Sequence, residues 1–171
     1  MTVESDRMHG AESHNNVTRE LFIPATSGYT NGTPASYAAH AVVQLADAAT
    51  EKLCVEFKVP DDFVSFVSVK CVWLPKWDYT GLDMYWKMRG YYCAAGEESA
   101  IHQDAPAYGV TTADPQPALM VEEPANPLTL ANLARGDYVG IEITRDATHA
   151  DDTLGTLALV FGVLFTYVAD Q

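Results

Sequence analysis

Residues 138–168 read YVGIEIT (138–144), RDATHADDT (145–153) and LGTLALVFGVLFTYV (154–168), and the parsing of these three pieces decides the fold. In the first, Val139, Ile141 and Ile143 alternate with Tyr138, Gly140, Glu142 and Thr144, a period of two that belongs to a strand. In the third, Leu157, Leu159, Phe161, Val163, Phe165 and Tyr167 alternate with Ala158, Val160, Gly162, Leu164, Thr166 and Val168, so both faces are apolar. A strand of that kind lies at the centre of a two-layer sandwich with something over its outer face, or it lies in a contact between subunits. The polar segment between the two strands is their connection.

Working outward, the same period recurs. Leu53, Val55, Phe57 and Val59 oppose Lys52, Glu56 and Lys58, while Met84, Trp86 and Met88 oppose Asp83, Tyr85, Lys87 and Arg89. Arg19 to Ile23, Tyr37 to Leu45 and the β-branched and aromatic run Phe63 to Leu74 also read as strands, with Pro24, Asn31-Gly32, Pro60 and Gly81 as punctuation. Residues 94–118 carry Gly96, Pro106, Gly109, Pro115 and Pro117 and read as one excursion of about 25 residues, longer than ordinary loops. Leu119 to Val121 is expected to be a short strand, and NPLTLANLARGD (126–137) is expected to carry one helical turn. About eight strands and no helix over two turns predict an all-β fold, an antiparallel β-sandwich with jelly roll as the preferred topology. Residues 1–17, polar and aperiodic, are expected to be a flexible arm, and 18–171 a single domain.

The composition limits the function classes. An apolar content of 48% with 19% charged residues supports a packed core and excludes a disordered chain. The formal net charge of -13 repels phosphate backbones and anionic headgroups, so neither direct nucleic-acid binding nor a membrane partner is expected. The start MTVESDRMHG lacks the apolar segment of a secretory signal, and the run Leu157 to Val168 is too short to span a bilayer. Cys54, Cys71 and Cys93 match no zinc spacing and cannot all pair within one chain, which points to synthesis in a reducing cytoplasm.

Several clusters could carry chemistry. Asp146, Asp151 and Asp152 could supply oxygens to calcium, but the spacing is not DxDxDG, and the expectation is that Asp146 and either Asp151 or Asp152 accept backbone N–H bonds to close the turn. Arg135-Gly136-Asp137 abuts a strand and reads as the bend into Tyr138 rather than as an adhesion signal. Trp77, Tyr79, Tyr85 and Tyr91, interleaved with Lys76, Lys87 and Arg89, could form an aromatic platform that stacks on sugar rings; the alternative is that these rings line sheet faces or interfaces, with Trp73 and Trp86 in the core. The histidines have no GxSxG, HExxH or P-loop around them, so no enzyme, cofactor or catalytic residue is expected. Val160, Leu164 and Val168 would be left exposed if Phe161, Val163 and Phe165 face the core, and they are the expected contact of a homo-oligomer.

The segment LARGDYVGIEITRDATHADDTLGTLALVFGVLFTYVAD, about a quarter of the chain, resembles the end of small all-β structural proteins of viruses and bacteriophages: Gly-Asp, a strand, Arg-Asp, an Asp-Thr turn and a long strand ending in Tyr. The resemblance implies a jelly-roll-like capsid, decoration or tail component that assembles with itself and with other virion proteins. It implies no catalytic residues. Two functions are thus expected: a self-assembling structural subunit, found in the virion if viral, or a carbohydrate-binding sandwich that uses the aromatic platform on a glycan.

Overall fold

The computed structural model describes residues 16–77, 79–98, 102–114 and 118–170, so the expected arm lies outside the described residues as far as residue 15. The elements are β1 (Val17–Pro24), a 3-10 turn (Ala25–Ser27), β2 (Tyr29–Thr30), β3 (Thr33–Tyr37), β4 (His40–Leu45), β5 (Thr50–Lys58), β6 (Phe63–Pro75), β7 (Asp83–Cys93), β8 (His102–Gln103), β9 (Ala107–Thr112), β10 (Met120–Glu122), β11 (Tyr138–Asp146) and β12 (Ala158–Ala169). Their pairing is nested: β4 pairs with β12, β5 with β11, β6 with β10 and β7 with β9, first with last, all antiparallel. Rolling that nest closes two sheets. Sheet I has the order β10-β6-β12-β4-β3, with β1 continuing along β12 beyond β4; sheet II has the order β2-β5-β11-β7-β8, with β9 also on β7. The eight long-range strands are those of a jelly roll, and β1, β2, β3 and β8 are additions at its margins.

The core lies between the sheets. Leu53 and Val55 of β5, Val139, Ile141 and Ile143 of β11 and Met84, Trp86 and Met88 of β7 face Val43, Leu45, Trp73, Val163 and Phe165 of sheet I, and Trp73 and Trp86 are fully buried as expected. At one end Phe165 is ringed by Phe57 (centroids 4.9 Å apart), Phe66 (5.8 Å) and Tyr167 (5.7 Å), spacings at which aromatic pairs attract.

Bulges correct the expected register of β12. Val160 pairs with Trp73 and Gly162 with Val72, which leaves Phe161 as an extra residue and inverts the alternation. Ala158 and Val160 therefore point inward before the bulge and Val163, Phe165 and Tyr167 after it. Val160 is core, not contact surface, and Phe161 turns outward against His40 (centroids 5.5 Å). Gly162 is required there because a Cβ would stand 2.2 Å from the Ile23 carbonyl oxygen. Two further shifts in β6 place Phe63, Phe66 and Val69 on the core side while Val64 and Val67 turn to solvent.

Other expectations also shift. The strand expected over Tyr37 to Leu45 is a hairpin, β3-β4, whose turn residues Ala38 and Ala39 have φ of 46° and 68°. The long excursion contains β8 and β9, and β9 has a clean buried-exposed alternation. Gly109 is needed inside it because the Pro124 backbone passes 2.9 Å from where a Cβ would sit. Residues 126–137 hold no helical turn; Leu130 and Asn132 take positive φ, and the Asp104 carboxylate accepts the Thr129 and Leu130 N–H groups at 2.5 and 2.7 Å. In Arg135-Gly136-Asp137, Arg135 donates to the Phe63 carbonyl (2.6 Å), Gly136 has φ of +80°, and Asp137 accepts the Ala134 N–H (2.9 Å), so the tripeptide is a bend built into the fold.

The connection from sheet II back to sheet I is held by Arg145, which continues the inward series of β11. Its guanidinium is fully buried and uses every nitrogen: Nε and Nη2 reach Asp152 Oδ2 and Oδ1 at 3.0 and 2.8 Å, Nη1 reaches the Thr156 and Leu45 carbonyls at 2.6 and 3.3 Å, and Nη2 reaches the Leu154 carbonyl at 2.5 Å.

Candidate functional site: the outer face of sheet II

The face of sheet II away from the core is built by the polar half of each alternation. Lys58, Tyr138 and Cys93 form one row across β5, β11 and β7; Glu56, Gly140 and Tyr91 form the next; Cys54, Glu142 and Arg89 form the third. Gly140 is therefore the centre of the patch, and a Cβ placed on it would meet nothing within 4 Å. The missing side chain leaves a groove of about 620 Å³, lined by these residues other than Arg89 and floored by the backbone of β11. It spans roughly 13 Å along the strand, from Tyr138 to Glu142, and roughly 10 Å across the three strands. Tyr138, 56% exposed, stands at one end and Tyr91 at one side, so two aromatic rings meet polar groups over an unfilled floor.

Electrostatics order the polar groups. Lys52 Nζ bonds Glu142 Oε2 at 2.8 Å, and that bond together with the carboxylate charge raises the Lys52 pKa above its ordinary value. Burial, seconded by the charge of Glu142, raises the Cys54 thiol above its ordinary value. Arg89 Nη1 donates to the Tyr91 hydroxyl at 3.0 Å, with the guanidinium 5.9 Å from the ring centroid. The Tyr91 ring is thereby fixed in place, as a stacking surface requires.

The four rings singled out in the sequence separate. Tyr85 and Tyr91 share this face, at opposite ends of β7. Tyr85 is already stacked by His149 (centroids 3.7 Å, planes 7° apart), so one of its faces is taken. Trp77, 61% exposed under the Lys76 ammonium, and Tyr79, packed at the margin of the core, lie in the β6-β7 connection and not on the sheet. Tyr138, the most exposed ring of the groove, was missed as a platform residue although its outward place was legible in the alternation of β11.

The three calcium candidates diverge. Asp152 is spent on Arg145 and on the Tyr85 N–H (3.1 Å), Asp146 accepts the Thr148 and Thr50 hydroxyls (2.7 and 3.0 Å), and Asp151 faces His149 Nδ1 at 3.6 Å. Among the described residues no group of three or more His, Cys, Asp or Glu is placed to hold a metal ion. Of the expected contact residues other than Val160, Leu164 and Val168 do lie on the outer face of sheet I, half-buried, where Leu164 pairs with the exposed Phe22 of β1.

No protein-family model matches the chain, and no curated protein does. Among solved structures the chain is similar to TmCBM27, a carbohydrate-binding module studied for specific mannan recognition, at 11% identity over 90% of this chain and 98% of that one, with a TM-score of 0.40. It is also similar to TmCBM61, solved in complex with β-1,4-galactotriose, at 6% identity over 90% of this chain and 88% of that one, with a TM-score of 0.30. Both TM-scores are low, and the fold rests on the strand order itself.

Proposed function

We propose that this chain is a non-catalytic carbohydrate-binding module and that its glycan lies in the groove over Gly140. The observation that carries the reading is the juxtaposition of two tyrosine rings, one of them held by Arg89, with charged hydrogen-bonding groups around an unfilled backbone floor. A sugar ring offers the complement: a C–H face that stacks on an aromatic surface and hydroxyls that donate and accept at its edge. Glycoside hydrolysis needs a pair of carboxyl groups free to exchange protons across a bond, whereas Glu142 is engaged by Lys52 at 2.8 Å.

Affinity electrophoresis against neutral, acidic and amino polysaccharides tests the proposal. Retardation by at least one of them is expected, weakened about tenfold or more in Tyr138→Ala, equivalent to about 1.4 kcal/mol. Gly140→Leu should abolish it without loss of stability, because the new side chain enters open space. Retardation by none, or by one that both variants retain, would refute the groove as the site.

A second reading, the self-assembling structural subunit, has its own observation. Phe22, Val64, Val67 and Val121 are exposed apolar groups on sheet I. A capsid, decoration or tail component is one assembly of this kind. Light scattering after size exclusion separates the two readings, since a binding module of this design needs no second copy.

A further inference from the structure

The charged groups around the groove are not equivalent. Lys52 is bonded to Glu142 and Lys58 Nζ leans to Asp61 Oδ1 at 3.4 Å, so the two nearby lysines each have a carboxylate partner, while Arg89, outside the lining of the groove, is bonded to the Tyr91 hydroxyl. Glu56 has no hydrogen bond or ion pair among the described residues, is exposed, and pairs across the strands with Gly140, which sets its carboxylate beside the open floor. Glu142 stands at the end of the same floor, with only its Oε2 committed to Lys52.

Three features then favour positive charge in a ligand. A carboxylate with no hydrogen bond or ion pair among the described residues lies beside Gly140, the exposed ring of Tyr138 offers the negative side of its quadrupole, and the chain as a whole has a net charge of -13 that concentrates cations and repels polyanions. We infer that the groove selects glycans whose units carry a free, protonated amino group, and that Glu56 is the specificity residue that accepts its hydrogen bond. This rests on the groove being a glycan site. An N-acetylated unit has the same ring and hydroxyls but an uncharged amide, so it stacks without the charge-assisted bond.

Isothermal titration of the full chain with glucosamine tetramer, N-acetylglucosamine tetramer and galacturonate tetramer tests the inference. The glucosamine tetramer should bind about tenfold more tightly than its acetylated counterpart at low salt, the factor expected of one charge-assisted hydrogen bond. The galacturonate tetramer should bind most weakly, and the preference for the amine should shrink as salt is raised. Glu56→Gln should bring the ratio between the first two close to one with the thermal midpoint unchanged. Equal affinities in the wild type, or a ratio that survives Glu56→Gln, would overturn the inference yet leave the glycan site standing if Tyr138→Ala still weakens binding. Failure of all three tetramers and of every polysaccharide would overturn both.

Discussion

Replacing Asp152 with alanine should be among the most damaging single changes in this protein. The Arg145 side chain that it faces is 0% exposed and the Asp152 side chain 2%, so the positive charge left behind is cut off from water and from its carboxylate. Removing one partner of such a pair typically costs about 3–5 kcal/mol, against about 5–15 kcal/mol of total stability for a domain. The variant also loses the acceptor for the Tyr85 N–H, which ties the connection to β7. For a chain of this size each kcal/mol moves the thermal midpoint by roughly 2–4 °C, so a fall of roughly 6–20 °C is expected. Urea titration followed by the emission of the buried Trp73 and Trp86 measures the loss directly. Arg145→Met strands the carboxylate instead and should also be costly, whereas the double variant Arg145→Met with Asp152→Ala removes both charges and should cost less than the sum by about 2 kcal/mol or more. A loss below about 1 kcal/mol in Asp152→Ala, or additive effects in the cycle, would refute the claim that this pair holds the connection together.

Three further outcomes follow from single sites. Ala39→Gly should raise stability by about 0.5–1 kcal/mol, since a φ of 68° strains alanine more than glycine, and the urea midpoint should move without a change in slope. Hydrogen bonds from Thr148, and then Thr50, hold the Asp146 carboxyl below its ordinary value; the stability this contributes is present above about pH 3.9 and lost as pH falls through the lower folded value, so Asp146→Asn should flatten the acid limb of the midpoint-against-pH curve. If the outer face of sheet I joins two copies, Leu164→Lys should give a folded monomer by light scattering with strand circular dichroism retained, and an oligomer of unchanged size would place any contact elsewhere.

The strands that declare themselves in the sequence are those buried on one side only. The alternations of β5, β7 and β11 were legible because each strand has a wet face and a dry one, and their inward residues are those that fill the core. On β12 the contrast vanishes, because Leu159 is buried on the outer side and Val160 on the inner, so nothing in the hydrophobic pattern marks Phe161 as the residue where the faces exchange. Strand β9 was hidden for a different reason. Gly109 reads as a loop residue, yet it is demanded by the backbone of Pro124 pressing on the strand, a contact between segments that no local window contains. The groove has the same origin: Glu56, Gly140 and Tyr91 become neighbours only through the pairings of β5 and β7 with β11, whereas Trp77 and Tyr79, close to Tyr85 in sequence, end up in a connection.

The polar segment 145–153 was more legible than its composition suggests, because the period of β11 continues into it. The inward series Val139, Ile141, Ile143 reaches Arg145 at the next step, and an inward arginine at the end of a core strand demands a carboxylate, since an unpaired guanidinium cannot remain buried. The segment supplies three. Asp146 follows Arg145 immediately and must point to the opposite face of the strand, where it meets Thr50 and Thr148. Asp151 is left on the exposed side with His149, and Asp152, one residue further, turns inward to the guanidinium. A density of charge that resembles a metal site is therefore the requirement of one buried cation, with its counter-ion delivered by the loop that the cation anchors.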